Sequence, residues 1–360
     1  MLLHSCSRPS DIPLPEETPQ QTYAIDTLPA AGNALPGVNA AVLDALTGSI
    51  ESGEYGNIHS IIMIYRDHVI MEEYFRGWTR HMQHVCNSVT KSFLSCLIGI
   101  AVEQDLIAGV NEKMLGFFPE YGDISNPDER KQSITLEHLL TMTAGFDMDE
   151  QTSMYESTDW IEYMLDLPMK YEPGTAFEYN SGCSHILSGV LEKTTGKTAE
   201  AFAGETLFNP LGITHWQWDA DPNGVSTGGW GLSLHPVNMA MFGYLFLQQG
   251  SWNGKQIVSA DWVDVSTSVH TVVMNLHEMI DGKLDYGYHW WRFGDAFLDE
   301  YWGGTAPREN DIFYADGYGG QLLYIVPHLQ AVVCITAWDP RNPELSRSII
   351  MKCLDAVSGQ

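Results

Sequence analysis

The stretch that most constrains this chain begins at Ser88-Val89-Thr90-Lys91. It continues through Ser92-Phe93-Leu94-Ser95-Cys96-Leu97-Ile98-Gly99-Ile100-Ala101-Val102 with no further charge until Glu103. A segment so uniformly apolar is a helix buried nearly all round, and the fold has to be assembled about it. A serine and a lysine three apart at a helix start share one face, which lets Ser88 Oγ and Lys91 Nζ meet. Lys91 then enters a dry site with no acidic neighbour in sequence. Burial disfavours its charged form and lowers its pKa, as a lysine needs if it is to act as a base toward a serine hydroxyl. Taken alone, the tetrad has a second reading: an ordinary buried helix whose lysine snorkels to the surface.

The rest of the composition narrows the class. The chain has 360 residues, enough for one large or two interleaved domains with a sizeable core. Its net charge of −28 would repel a nucleic-acid backbone or an anionic membrane surface, so no nucleic-acid partner is expected. No stretch reaches the roughly 18 apolar residues of a membrane span. The six cysteines, at 6, 86, 96, 183, 334 and 353, have no paired spacing. They read as scattered buried thiols rather than as a zinc site or a disulfide framework. His81-Met82-Gln83-His84 lacks a third ligand, so no metal is expected. The chain has no G-x-S-x-G, which excludes an α/β-hydrolase elbow as the nucleophile site.

Residues 1–36 are Pro- and Ser-rich and read as a tail or surface wrap. Leu2-Leu3-His4-Ser5-Cys6 is similar to the end of a bacterial lipoprotein signal, without the charged and apolar regions that precede the cysteine there. Localisation therefore stays open between periplasmic or lipid-anchored through Cys6 and cytoplasmic. Helical spacing covers 38–52, and Ser60–Tyr65 with Val69–Phe75 form a hairpin about Arg66-Asp67-His68. From 109 to 224 the pattern is helices and long loops: 134–142 capped by Thr135, 158–165, 184–195 ended by Gly196, and 199–207. An amphipathic helix is predicted over 236–249, with Met239, Met241, Phe242, Leu245 and Phe246 on one side, and a further helix over 259–266. Strands are predicted over 286–293, 312–316, 321–326 and 331–337, and a closing helix over 343–357. Strands at both chain ends with helices between them predict an α/β (α+β) fold. Its central antiparallel sheet is built from both termini and flanked by helices, and it carries an inserted all-helical domain. The boundaries follow: 37–108 with 225–360 for the sheet domain, 109–224 for the helical one.

Two further stretches carry chemistry. Pro173-Gly174-Thr175-Ala176-Phe177-Glu178-Tyr179-Asn180-Ser181-Gly182 is a turn-rich segment ahead of a helix. A tyrosine near a lysine can share its proton, so Tyr179 fits a base or relay working with Lys91; a packed loop tyrosine is the alternative. Ala315-Asp316-Gly317-Tyr318-Gly319-Gly320-Gln321 lies between two strands, where small residues let a backbone N–H approach a ligand. A plain hairpin turn is the alternative there.

In this order and spacing the three stretches resemble the serine β-lactamase-related hydrolases of the class C type. That group includes penicillin-recognising D-Ala peptidases and esterases. Within it the chain looks most like the 6-aminohexanoate-dimer hydrolases and their carboxylesterase relatives. Leu139–Phe146, Pro173-Gly174-Thr175 and Gly229-Trp230-Gly231-Leu232-Ser233 add to the likeness, which runs from about Ile58 to Cys353. The resemblance implies a β-lactamase/transpeptidase-like fold with its site between the two domains, and an acyl-serine mechanism without cofactor or metal. It implies Ser88 as nucleophile, with Lys91 and Tyr179 handling its proton and Ser181 passing a proton to the leaving group. The backbone N–H groups of Ser88 and Tyr318 would form the oxyanion hole.

Departures from the family pattern bear on substrate. Typical members carry Lys-Thr-Gly or His-Thr-Gly where this chain has Ala315-Asp316-Gly317, whose only charge is negative, and a substrate carboxylate beside Asp316 would be repelled. The second motif is Tyr-Asn-Ser instead of Tyr-Ser-Asn, as in the amide- and ester-cleaving branch. Tyr155, Gly317 and Trp290 are expected to line the substrate site, with Trp160, Trp291, Trp302 and the Tyr318 ring as further aromatic candidates. The expected activity is cleavage of a small ester or linear amide, and the expected partner is that small molecule. The alternatives are β-lactamase or D-Ala peptidase activity and, from another class, a catalytically silent ligand-binding homologue.

Overall fold

A computed structural model of the chain describes residues 14–30, 35–122, 124–147, 151–274, 283–294, 311–340 and 343–358. Cys6 and Trp302, both singled out above, lie outside them. Ile58–Tyr65 (β1) and His68–Tyr74 (β2) form the expected hairpin. Its two turn residues, Arg66 and Asp67, both have positive φ, the geometry whose twist matches a two-residue connection. His84–Val85 (β3), Gln217–Trp218 (β4) and Leu232–Leu234 (β5) make a small second sheet, and Ser251–Trp252 (β6) pairs with Lys255–Gln256 (β7). The remaining strands are Thr271–Val272 (β8), Leu284–Tyr286 (β9), Trp291–Phe293 (β10), Phe313–Gly317 (β11), Gln321–Val326 (β12) and Ala331–Ala337 (β13).

The main sheet has the order β2-β1-β13-β12-β11-β10-β9-β8. Every pairing in it is antiparallel. β1 from one end of the chain lies beside β13 from the other, which is the sheet built from both ends. One detail differs from expectation. The strand predicted over 286–293 is two strands, β9 and β10, joined by a turn in which His289 has φ +61° and the Gly287 N–H bonds the Trp290 carbonyl.

The helices are Ala40–Ser52 (α1), Thr90–Glu103 (α2), Leu136–Leu140 (α3), Gln151–Glu156 (α4), Trp160–Asp166 (α5), Ser181–Thr195 (α6), Ala199–Ala203 (α7), Pro236–Leu247 (α8), Ala260–Thr267 (α9) and Pro343–Ser358 (α10). Thr135 caps α3 as expected, accepting the His138 N–H. α2 is buried from Thr90 to Ala101, so the apolar run of the sequence is indeed the centre of the molecule.

α8 is not the amphipathic helix its sequence pattern predicts, since every residue from Pro236 to Phe246 is buried. The reason is its place between two layers. Phe242 stacks on Phe93 of α2 with centroids 3.7 Å apart, while a Cβ on Gly243 would lie 2.7 Å from Leu323 and 2.8 Å from Val332 of the sheet. β1, β12 and β13 are buried at every position, hence covered on both faces, by α8 on one and by α10 packed with α1 on the other. The five described cysteines are buried free thiols. Among the described residues no helix is long and apolar enough to cross a membrane.

One buried polar cluster ties β1 to the small sheet. His59 Nδ1 lies 2.8 Å from His84 Nε2, His84 Nδ1 lies 3.0 Å from the Val85 carbonyl, and Trp78 stacks on His59 at 4.5 Å and packs at a tilt on His84 at 4.6 Å. The chain of bonds is satisfied when both imidazoles are neutral: His84 Nδ1–H donates to Val85, and His84 Nε2 accepts from His59. Burial holds both pKa values well below the ordinary histidine range. In the unfolded chain these histidines take up protons as pH falls through about 6.5, while the folded pair stays neutral to about pH 4. Stability is therefore present above pH 6.5 and lost as pH falls below it. Urea unfolding at pH 7 and pH 4.5 should show a smaller acid loss for His59→Gln than for the parent, by about 2 kcal/mol.

Candidate active site

Ser88 sits in a short turn, Asn87–Val89, directly ahead of α2, and Lys91 is in the first turn of that helix. The Lys91 amine is 1% exposed and meets three neutral oxygens: Ser88 Oγ at 3.1 Å, Ser181 Oγ at 3.0 Å and the Gly229 carbonyl at 2.8 Å. Burial pushes its pKa down to about 7. A neutral amine has two N–H groups and one lone pair. The carbonyl must take one N–H, which leaves one N–H and the lone pair for the two hydroxyls. That is the arrangement in which an amine can receive a proton from a serine.

Local sequence explains how these groups converge. Asn180 caps α6, its Oδ1 accepting the Gly182 N–H at 2.8 Å, and this fixes Ser181 at the helix start. A Cβ on Gly229 would lie 2.7 Å from Ser181 Cβ, so only glycine lets the 226–231 loop bring its carbonyl to the lysine. Tyr179, one residue before the cap, brings its phenol next to Ser88. Its ring lies 4.8 Å from Lys91 Nζ and stacks on Trp291 at 5.6 Å. Burial raises the phenol's pKa, and the charges of Asp316 and Tyr155 raise it further. Tyr179 is thus kept protonated while Lys91 is kept easy to deprotonate.

The end of β11 is brought against the nucleophile turn. A Cβ on Gly317 would lie 2.5 Å from the Cys86 carbonyl. Asn87 has φ +47°, a conformation asparagine tolerates better than most residues, and its Nδ2 donates to the Tyr318 carbonyl at 2.6 Å. Gln321 Nε2 donates to the same carbonyl at 3.2 Å. The residue before Ser88 therefore fixes the turn that follows β11.

His289 braces the back of the site. Its N–H bonds the Leu140 carbonyl, its carbonyl accepts from Ser92 Oγ at 2.7 Å, and its Nε2 lies 3.1 Å from Ser184 Oγ. It joins the C-terminal end of α3, the helix that carries Lys91 and the helix that carries Ser181. Burial, with the Lys91 charge added, holds the imidazole well below its ordinary pKa, so it is neutral. Ser184→Ala strands this buried ring nitrogen. The expected loss is about 1–3 kcal/mol in urea unfolding.

Ser88, Lys91, Tyr179 and Ser181 thus lie together, with Tyr318 beside them. Half-buried Tyr155 forms one wall, its ring 4.8 Å from Trp230 and 5.3 Å from Trp160. One expected substrate contact lies elsewhere. Trp290 is 0% exposed and packs on Phe242, Phe246 and Phe313 as a core side chain; its neighbour Trp291 is the one at the site. Gly317 stands at the end of β11 against the Cys86 carbonyl, where a Cβ would lie 2.5 Å from that oxygen. Sequence reasoning missed the Gly229 carbonyl, the Asn87 side chain and His289. The first had a signal in the small residues about Trp230; the other two had none short of the fold.

Comparison with known proteins places the chain. The family model described as Beta-lactamase matches residues 59–346. An uncharacterised protein of Alkalihalophilus pseudofirmus is 25% identical over 244 residues, 59% of this chain and 65% of that one. Lovastatin esterase of Penicillium rubens is 29% identical over 117 residues, 29% of each chain. The matched stretch thus spans less than two thirds of either relative. Among solved structures, a family VIII carboxylesterase superposes with a TM-score of 0.66 at 16% identity, covering 89% of this chain and 99% of that one.

Proposed function

The chain belongs to the β-lactamase family, and from that premise we propose that it is a serine hydrolase cleaving a small ester or linear amide through an acyl-Ser88 intermediate. The observation that carries this reading is the Lys91 amine, buried and held against both Ser88 Oγ and Ser181 Oγ. Ser88 Oγ attacks the substrate carbonyl carbon as its proton passes to Lys91 Nζ, and the carbonyl π electrons move onto oxygen. The Ser88 and Tyr318 N–H groups receive that oxyanion. When the tetrahedral species collapses, the carbonyl re-forms, and the bond to the alcohol or amine breaks. The proton held at Lys91 reaches that leaving group through Ser181 or Tyr179. Water repeats the sequence with Ser88 as leaving group. Lys91 is the base in this scheme and Tyr179 a donor and relay, because their pKa values are pushed in opposite directions.

Two features weigh against a penicillin or D-Ala-D-Ala substrate. Ala315, where typical relatives carry a cation, is buried in the sheet, and the carboxylate of Asp316 lies close enough to raise the Tyr179 pKa. A substrate carboxylate would meet that negative charge. The esterase named among the relatives supports the ester arm of this reading. A silent binder has little to recommend it, since a decayed site would not keep Ser88, Lys91 and Tyr179 in contact.

Intact-mass spectrometry after mixing with p-nitrophenyl acetate should find an acetyl adduct mapping to Ser88, with nitrophenol release in parallel. In Ser88→Ala both should vanish, with turnover down by at least a thousandfold. Adduct or release that persists in the variant sinks the assignment. A chromogenic cephalosporin should turn over far more slowly than the ester.

The pH dependence tests Lys91. The amine is a base only when neutral, so kcat/KM should rise with pH and level off above an apparent pKa near 7. Lys91→Arg, charged at every accessible pH, should lose both the activity and the limb. A profile flat from pH 5 to 9 would rule Lys91 out as the base.

A further inference from the structure

Tyr318 contributes its backbone to the proposed oxyanion hole, and its side chain has no role in that scheme. Among the described residues it is the most exposed large apolar side chain, at 64% against 50% for Val269. Exposure alone would say nothing, because single apolar side chains at a surface are common. Its place and its support say more.

The turn beneath the ring is tied on every side. Asn87 and Gln321 both donate to the Tyr318 carbonyl. Gln321 is itself fixed to β13, its Nε2 2.6 Å from the Ala337 carbonyl and its Oε1 accepting the Ala337 N–H at 3.2 Å. The Gly319 carbonyl accepts the Asp339 N–H at 2.9 Å. Gly319 has φ +85°, and a Cβ there would lie 3.2 Å from the Trp338 ring. The Tyr318 ring meets Trp338 edge-on at 6.0 Å and 83°. A tyrosine so mounted has two side-chain torsions left, so ordering it on a ligand loses little entropy.

A carbonyl bound at the Tyr318 N–H lies within a side chain's length of the same residue's ring. Tyr155 and Trp230, half-buried, stand on the helical side near Tyr179. Ala315 supplies no charge to the sheet side. Recognition there is by flat apolar surface. We propose that the Tyr318 ring is the specificity-determining side chain of this site, and that it stacks on an uncharged aryl arm of the substrate ester. This rests on the acyl-Ser88 reading above.

The test compares ethyl acetate with ethyl phenylacetate and benzyl acetate, which carry the aryl group on the acyl and alcohol sides, by proton release in a pH-stat. In the parent, kcat/KM for one aryl ester should exceed that for ethyl acetate. In Tyr318→Ala that ratio should fall about tenfold, which is what one aromatic pair contributes. Tyr318→Phe should restore it, since the ring and not the hydroxyl makes the contact. A ratio unchanged in Tyr318→Ala overturns the proposal, and so does an equal loss on all three esters, which would make the ring a support for its own backbone. A parent with no aryl preference overturns it as well. Each of these three results leaves the parent's Ser88 acetyl adduct in place. A parent that forms no adduct fails the underlying reading and takes this proposal with it.

Discussion

Everything at the site depends on keeping an amine out of water without giving it a counter-charge. The partners of Lys91 Nζ are two hydroxyls and one carbonyl, all neutral, and burial is the chief cause of its lowered pKa. The gap between an ordinary lysine and one near 7 corresponds to about 5 kcal/mol, which the fold forgoes at neutral pH and below. That is comparable to the whole net stability of many domains. A carboxylate beside the amine would recover much of it, and would also return the pKa toward its usual value and end its use as a base.

The remaining architecture delivers neutral groups to that one nitrogen. α2 brings the lysine and its turn brings the nucleophile, α6 brings a hydroxyl, and the loop before β5 brings a carbonyl. The loop's approach is closer than a side chain would allow, which explains the glycine at 229, and Gly317 permits a like approach of β11 to the Cys86 carbonyl. The same logic applies to His289. It crosslinks α2 and α6 through Ser92 and Ser184 and takes up a left-handed backbone to do so. Because the brace is neutral, it stiffens the dyad without adding a charge that would drive the lysine pKa further or recover it.

Much of this was legible in the sequence, and the reasons are local. The apolar run after Lys91 has no reading but a buried helix. Ser-x-x-Lys sets the distance to the nucleophile by helix geometry alone. The hairpin at Arg66-Asp67, the Thr135 cap and the strands near both chain ends follow from short-range patterns. What failed was set by packing at long range. α8 looks amphipathic by residue spacing and is buried all round because α2 and the sheet close on it from two sides. Trp290 and Trp291 are adjacent in sequence, yet Trp290, just before β10, packs into the core on Phe242, Phe246 and Phe313, while Trp291, the first residue of β10, stacks on Tyr179, and only the fold decides which. His289 carries no sequence signal because its three partners come from residues 92, 140 and 184.

Charge at the cleft separates this chain from relatives that hold a substrate carboxylate. At the third motif stands a buried alanine, where the family resemblance leads one to expect a cation, and the next residue is an aspartate whose field reaches Tyr179. That field does two things at once. It adds to the burial that holds the phenol pKa up, and it opposes any anion arriving beside Ser88. A net charge of −28 adds to that opposition at long range. On the reading proposed above, discrimination among neutral substrates falls to the rings around Ser88, Tyr155 and Trp230 on one side and Tyr318 on the other. Apolar contacts of this kind separate similar substrates by tenfold to a few hundredfold at most, so the selectivity expected here is graded rather than absolute.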